Sequence, residues 1–527
     1  MSRLPLFLMR AGFLYSSYML GTVVFAVLLG CQKPTSASAA SPNRDLLGAN
    51  LEGIADWSRS MAFADIMKQS REFGQPDKPW VAIKTLDAQG WPTTDFGVIL
   101  MASQKGVANT GGTYKLSFEC KGNPSIRAVA SGGAIQNLHR EGGLWKADLD
   151  APQGQDSLML GFTNTDGGVR NLHILRPLPA EGQFTKVFVD HIRRFGTLRF
   201  MDWGSTNGNK QEKWSQRNRP ESPSYANDRG VPYEAMIDLA NLVHADAWFC
   251  VPEHADDDYV RNLAEVCKKR LDPKLHVYVE NSNEVWNWGF EQSHYNLDHA
   301  KAEGPDAKDL SWDGKGQDWT WPARRIAKRL MQIRAIFKDV YGARFSDSVR
   351  PILAGQVVWP ENWLEQGLNY IDHNYGPPKD YIYAIAGAPY FSLGKANDEK
   401  DLTKDQVLDA MSKVVDAIPT YCKADWYATN LKKYGLRLVA YEAGPDTFGP
   451  NSIQGKKEAQ FDPRMRQILL KYYRTWRSMG GGLMNYFVAG ATGYESQYGT
   501  WGLTDDLTKT SPKIQAIDDI LAGRWRE

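Results

Sequence analysis

The sequence predicts an α/β chain, a (β/α)8 TIM barrel carrying an inserted or N-terminal all-β sandwich domain. Three observations predict it. From Phe184 to the C-terminus, short apolar runs alternate with stretches of helical period, the sequence form of a parallel sheet crossed over by helices. Seven such runs, with Ala49–Ile54 before them, make eight, enough to close a barrel, and no GxGxxG turn marks an open doubly wound sheet. Between Trp80 and Leu175 the character changes to brief β-rich runs separated by Gly, Asn and Asp at the close spacing of a sandwich.

Bulk properties bound the rest. A chain of 527 residues with 42% hydrophobic side chains can bury a large core and exceeds one ordinary domain. Its 62 basic and 61 acidic residues leave a net charge of +1, without the basic excess of a nucleic-acid protein. Eighteen Trp and 23 Tyr supply flat rings that either stack on sugars or fill a large aromatic core.

Residues 1–31 carry the marks of a targeting segment: Arg3 and Arg10, then an apolar stretch from Ala11 to Leu29. The stretch ends in Leu28-Leu29-Gly30-Cys31, which resembles a bacterial lipobox. That resemblance implies cleavage before Cys31 and acylation of its thiol; an uncleaved N-terminal membrane helix is the alternative. Gln32 after the cysteine resembles lipoproteins sorted to the outer membrane. The expected location is the cell envelope, facing the periplasm or the cell surface, with membrane contact through the lipid anchor only. Residues 32–44, rich in Ser, Ala and Pro, form a tether. Cys120, Cys250, Cys267 and Cys422 show no CxxC spacing, so no zinc site is expected; disulfides are permitted, and a buried thiol is expected at Cys250.

The domain plan places the first barrel strand and a helix in 45–75, the sandwich in 76–180 and the remaining barrel in 181–527. Strands are expected at Ala49–Ile54, Leu198–Met201, Ala247–Val251, Val277–Glu280, Pro351–Gln356, Tyr381–Ala386, Arg437–Tyr441 and Gly482–Phe487. The pattern predicts helices near 63–73, 184–195, 233–243, 257–269, 322–341, 404–417, 423–434 and 463–479. Seven runs, beginning with WVAIKTL at Trp80, are expected as sandwich strands. The sandwich either binds carbohydrate or packs structurally against the barrel.

Two strand ends carry chemistry. HVYVENSNEVWNWG begins as a buried strand and ends in a polar, aromatic cluster holding Asn283 and Glu284. LRLVAYEAGPDTFG is a second apolar strand, ending on Glu442 before a Gly-Pro turn. Two strand-terminal glutamates form the carboxylate pair that glycoside cleavage requires. Asn-Glu closing a fourth strand and Glu closing a seventh resembles glycoside hydrolase clan A, the retaining enzymes built on (β/α)8 barrels. The resemblance covers roughly the barrel portion and implies Glu284 as acid/base, Glu442 as nucleophile and Asn283 on the sugar 2-hydroxyl. It also implies Arg199 as the second-strand arginine near the nucleophile and Tyr390 as the tyrosine that contacts it. Several clan families place a His two residues before that tyrosine; this chain has Ala388.

Glu280, four residues before Glu284, sits deeper and suits a supporting ion pair. His254, after the third strand, is placed to reach a sugar, while the aspartates that follow it suit a helix cap. Trp203, Trp286, Trp288, Trp359, Trp363 and Trp501 fall in or near strand-to-helix loops, where sugar stacking and core packing compete. The loop 204–230 could wall a cleft. The function expected is a retaining glycoside hydrolase acting on a β-linked polysaccharide or oligosaccharide, without cofactor or metal. The alternatives are a non-catalytic polysaccharide-binding lipoprotein on the same barrel and a transglycosylase.

Overall fold

A computed structural model describes residues 43–304, 306–316 and 319–526. The expectations for residues 1–42, including Cys31, lie outside the described residues. Eight parallel strands close a barrel in chain order: Leu47–Asn50, Thr197–Arg199, Asp246–Val251, Val277–Asn281, Val349–Ala354, Ala384–Gly387, Arg437–Ala443 and Gly481–Tyr486. Closure comes from the last strand pairing with the first, Gly48 opposite Asn485. Gly48 is required there: a Cβ would sit 1.8 Å from Asn485 Oδ1. Strands buried on both faces read as continuous apolar runs, which makes them legible in the sequence. The first ends at Asn50 rather than Ile54: the Leu51 N–H still donates to the Arg199 carbonyl, but the second strand ends at Arg199 and the pairing goes no further.

Helices fill the crossovers, among them Lys186–Ile192, Tyr233–Val243, Asp257–Arg270, Thr320–Tyr341, Lys404–Tyr421, Ala424–Tyr434 and Arg464–Ser478. Asp256 caps the third of these by accepting from the Tyr259 N–H at 2.7 Å. Among the described residues, four helices of more than two turns escape the sequence pattern, Glu291–Glu303, Leu364–Asn374, Ile453–Phe461 and Pro512–Leu521, as do the single turns Lys308–Ser311 and Phe345–Ser348.

The helix expected at 63–73 is not there. Only one tight turn, Ile66–Gln69, forms. The backbone on either side is bonded outward instead, Ala64 to Gln183, Arg71 to Ile99 and Gly74 to Gly97. The apolar spacing serves two cores, with Phe63 in the barrel shell and Ile66, Met67 and Phe73 in the sandwich.

The sandwich joins two antiparallel sheets. One orders Ala134–Glu141, Leu144–Ala151, Gly112–Glu119 and Arg170–Leu175; the other orders Phe96–Met101, Leu158–Thr163 and Ser125–Ala128. Phe96 stacks on Phe162 with centroids 4.6 Å apart, and Phe118 meets Phe162 edge-on. Each such ring contributes about 1.5–3 kcal/mol by leaving water. WVAIKTL forms no strand: Trp80, Val81 and Leu86 are exposed. The edge strand Ala134–Glu141 is absent from the expected set, because its mostly exposed side chains give no apolar alternation.

Four described cysteines, Cys120, Cys250, Cys267 and Cys422, are buried free thiols. Among the described residues no helix is long and apolar enough to cross a membrane.

Candidate active site

The period of two sends alternate side chains into the barrel. Trp248 and Cys250 enter from the third strand, Tyr278 and Glu280 from the fourth, and Val439 and Tyr441 from the seventh. Arg199, fully buried on the second strand, organises their upper layer. Its Nη2 donates to both Glu280 oxygens at 3.1 and 2.9 Å, and its Nε adds a bond of 3.1 Å. Nη1 donates to Glu442 Oε1 at 2.8 Å and to Asn50 Oδ1 at 3.1 Å. Nη2 also reaches Asn283 Oδ1 at 2.7 Å. One rigid guanidinium on the second strand therefore fixes four residues from the first, fourth and seventh strands or their ends, a task its planar fork suits.

Glu442 has both oxygens held. Tyr390 OH donates to Oε2 at 2.9 Å, opposite the Arg199 contact on Oε1. Only 5% of the residue is exposed.

Glu284 faces a different environment. Tyr441 OH donates to its Oε1 at 3.0 Å and Asn287 Nδ2 to its Oε2 at 2.8 Å. Burial, then the negative charge of Glu442, pushes the Glu284 carboxyl up to about 7, against those hydrogen bonds. Ser282 and Glu284 hold positive φ of 53° and 43°, uncommon backbone for residues with a Cβ. Such local strain costs on the order of 1–3 kcal/mol and is offset here by the bonds that fix the Glu284 carboxyl.

Asn283 is itself positioned. Asn207 Oδ1 accepts from its Nδ2 at 3.0 Å, and Gln292 donates to Asn207 and to the Asn283 carbonyl, both at 2.8 Å. One Asn283 N–H remains for a ligand.

The rings divide into two groups. Tyr390, Phe487 and Trp501 meet edge-on, with centroids 5.3–6.2 Å apart, beside Glu442. Trp288, Trp319 and Trp363 cluster beyond Glu284, their centroids 5.1–6.3 Å apart. Trp359 is 58% exposed and Trp286 half-buried on the wall of a recess that holds Glu280 and Glu284. Trp203 is a correction: it is 1% exposed and packed between Phe63 and Phe188, so it has no free face for a sugar. His254 is another. Its Nε2 meets Glu291 at 3.1 and 3.2 Å and its ring lies against Tyr295, so the structure does not bring it together with the paired glutamates.

Sequence reasoning misses several groups. Tyr441 and Asn50 hold the glutamates and the arginine, yet read as ordinary strand residues. Asp202 and Glu52 line the same end: Asp202 is pushed up to about 7 by burial and by Glu442, and Glu52 to about 8 by burial. Asp202 joins Ser205, Thr206, Asn207 and Asn227 around a cavity of about 260 Å³, so residues of the loop 204–230 wall a cavity beside Asp202. Strand-end position is the one signal the sequence offers for all four.

No family model matches the chain, and no curated relative matches it. Solved structures with a related arrangement are glycoside hydrolases of clan A. One is the CBM22–GH10 portion of a Clostridium thermocellum endo-1,4-β-D-xylanase, 10% identical, covering 89% of this chain and 98% of its own, with a TM-score of 0.36. A second is an arabinose-bound GH51 α-L-arabinofuranosidase, 11% identical, covering 92% and 80%, with a TM-score of 0.48. A third is a GH5 endoglucanase from Ruminococcus flavefaciens, 14% identical, covering 65% and 88%, with a TM-score of 0.35. The fold is a parallel eight-stranded barrel. Its chemistry rests on its own side chains.

Proposed function

We propose that this chain is a retaining glycoside hydrolase of a β-linked polysaccharide or oligosaccharide, acting through Glu284 and Glu442. The observation that carries the reading is the asymmetry of the pair. Glu442 is held by a guanidinium and a phenol; Glu284 carries a carboxyl raised to about 7 by burial and by its neighbour's charge. Two glutamates in opposed environments are an acid and a nucleophile.

In the first step Glu284 gives its proton to the glycosidic oxygen while Glu442 attacks the anomeric carbon, and a glycosyl-enzyme ester forms as the leaving sugar departs. Esterification removes the charge on Glu442, so the Glu284 carboxylate left behind can take a proton from water. That water attacks the anomeric carbon, Glu442 leaves as carboxylate, and the anomeric configuration is retained. The free Asn283 N–H is available to the 2-hydroxyl. Exposed Trp359 and the Trp288 cluster are suited to stack further sugars.

The expected outcome is reducing-sugar release from at least one member of a panel of β-glucans, mannans, xylans and bacterial exopolysaccharides. Glu442→Gln should lower it by about 10⁴-fold or more, as removal of a covalent nucleophile does. No release above that control on any glycan would favour the non-catalytic binding reading, and products longer than the substrate would identify a transglycosylase.

We also place the enzyme in the cell envelope, lipid-anchored through Cys31 and sorted to the outer membrane. Radiolabelled fatty acid should enter the native chain and not Cys31→Ser; equal labelling would remove the anchor from Cys31.

A further inference from the structure

We propose that the face of the barrel opposite the catalytic cleft rests on an anionic lipid surface. The chain enters the fold at that face. Arg44 is clamped to the carbonyls of Arg193, Val243 and His244, at the ends of two helices, just before the first strand begins. Whatever precedes Asn43 therefore leaves from the side away from Glu284 and Glu442. If Cys31 is the acylated residue, as proposed above, the intervening residues span at most about 40 Å fully extended. The entry face is then held near the bilayer while the cleft opens away from it.

The charge of that face fits such a neighbour. Lys268, Lys269, Lys274, Lys432, Lys433 and Arg437 are exposed there, and none forms an ion pair with a carboxylate among the described residues. Lysines in the last helical turn are common because they complement the helix dipole. Lys274 and Arg437 fall outside that explanation, one in a loop and one opening a strand. Asp246 is committed to Arg350 and His276 and so does not neutralise the patch; Asp45 and Asp272 lie near Lys274 and the cavity, and Glu365 and Asp372 lie near Lys433.

A cavity of about 630 Å³ opens in the same face. Arg437 lies over Tyr383 at 4.6 Å, Arg350 lies between Tyr383 and Tyr278, and Lys274 stands at the mouth. Tyr375, 43% exposed near this face, offers the half-polar ring that sits well at a headgroup boundary. At the opposite end Arg199 is buried and its charge is taken by Glu280 and Glu442. An anionic surface is attracted to the entry face.

The test uses the full acylated chain reconstituted into two vesicle types, phosphatidylethanolamine with phosphatidylglycerol, and pure phosphatidylcholine. Hydrogen exchange is followed in 268–274 and 432–437. We expect exchange slowed by about 10-fold or more in the anionic vesicles alone, lost at high salt. The quadruple variant Lys268→Gln, Lys269→Gln, Lys432→Gln, Lys433→Gln should lose the protection; it gives up the favourable pairing of four lysines with helix C-termini, so Tm falls by a few degrees while circular dichroism stays native. Equal exchange in the two lipids would overturn the proposal. So would protection by a soluble acidic polysaccharide without protection by the anionic vesicles, which would assign the face to a glycan. A chain that stays with neither vesicle would overturn both this proposal and the anchor at Cys31. Because exchange needs no turnover, the outcome is independent of whether the chain is a glycosidase.

Discussion

Arg350 and Arg199, at the two ends of the barrel interior, are used in opposite ways. Arg350, at the entry end, lies between the rings of Tyr278 and Tyr383 and gives its charge to Asp246. Arg199, one layer above Trp248, gives its charge to Glu280 and Glu442. At the entry end a cation meets rings and one acid, and nothing reactive is left over. At the other end burial, with the charge of Glu442 added for Glu284 and Asp202, pushes Glu284, Asp202 and Glu52 toward their protonated forms. The first arrangement packs a barrel; the second creates an acid that keeps its proton near neutral pH.

The largest effect separating the two ends belongs to the acid itself. Glu284→Gln should lower kcat/KM by about 10²–10⁴-fold, the range of general acid catalysis. The proposed mechanism needs the protonated form for its first step, and that form is lost as pH rises through about 7, so activity should fall on that side; a pH profile unmoved by the substitution would remove Glu284 from the role.

The arginines give the next contrast. Arg199→Met leaves Glu280 and Glu442 buried without their cation and should cost about 3–5 kcal/mol of stability together with activity. Arg350→Met should cost about 1–3 kcal/mol, the value of bonds to a charged group, and leave kcat unchanged. Denaturant melts and kinetics on the same preparations separate these outcomes.

Two tryptophans sharpen the comparison further. Trp203→Ala empties a core position and should destabilise by about 3–5 kcal/mol. Trp359→Ala should leave the melt alone and raise KM several-fold on long glycans, by the about 1 kcal/mol that a stacked ring supplies. A reversal would exchange their roles.

The smallest effect concerns Glu52. Its carboxyl is raised to about 8, so the stability it contributes is complete below its unfolded value near 4.5 and lost as pH rises through about 8. Glu52→Gln should match the native Tm at pH 5 and exceed it by a few degrees at pH 9.

What is legible in the sequence follows from these same forces. A strand buried on both faces must be apolar throughout, so all eight barrel strands can be read, and with them the glutamates at their ends. Arg199, Asn283 and Tyr390 come with the clan resemblance, and the structure brings each of them to Glu442 or to the arginine that holds it. What stays hidden depends on contacts between distant segments. Phe63 to Phe73 carries a helical spacing that serves two cores at once. Trp203 is an aromatic in a loop whose ring turns inward onto Phe63 and Phe188. Tyr441 looks like any strand residue until the barrel closes and its hydroxyl meets Glu284. The helix Glu291–Glu303 shows little segregation of apolar side chains, so periodicity does not find it, although Gln292 in its first turn positions Asn283.

The pairing of Glu284 with Glu442 is tested most directly by the stereochemistry of cleavage. Proton NMR of the first-formed product, recorded before mutarotation on whichever glycan the panel shows to be cleaved, reads the anomeric configuration. Double displacement through Glu442 predicts a β-configured product from a β-linkage, absent in Glu442→Gln. An α-configured product would mean direct attack by water, and would contradict the assignment of Glu442 as nucleophile.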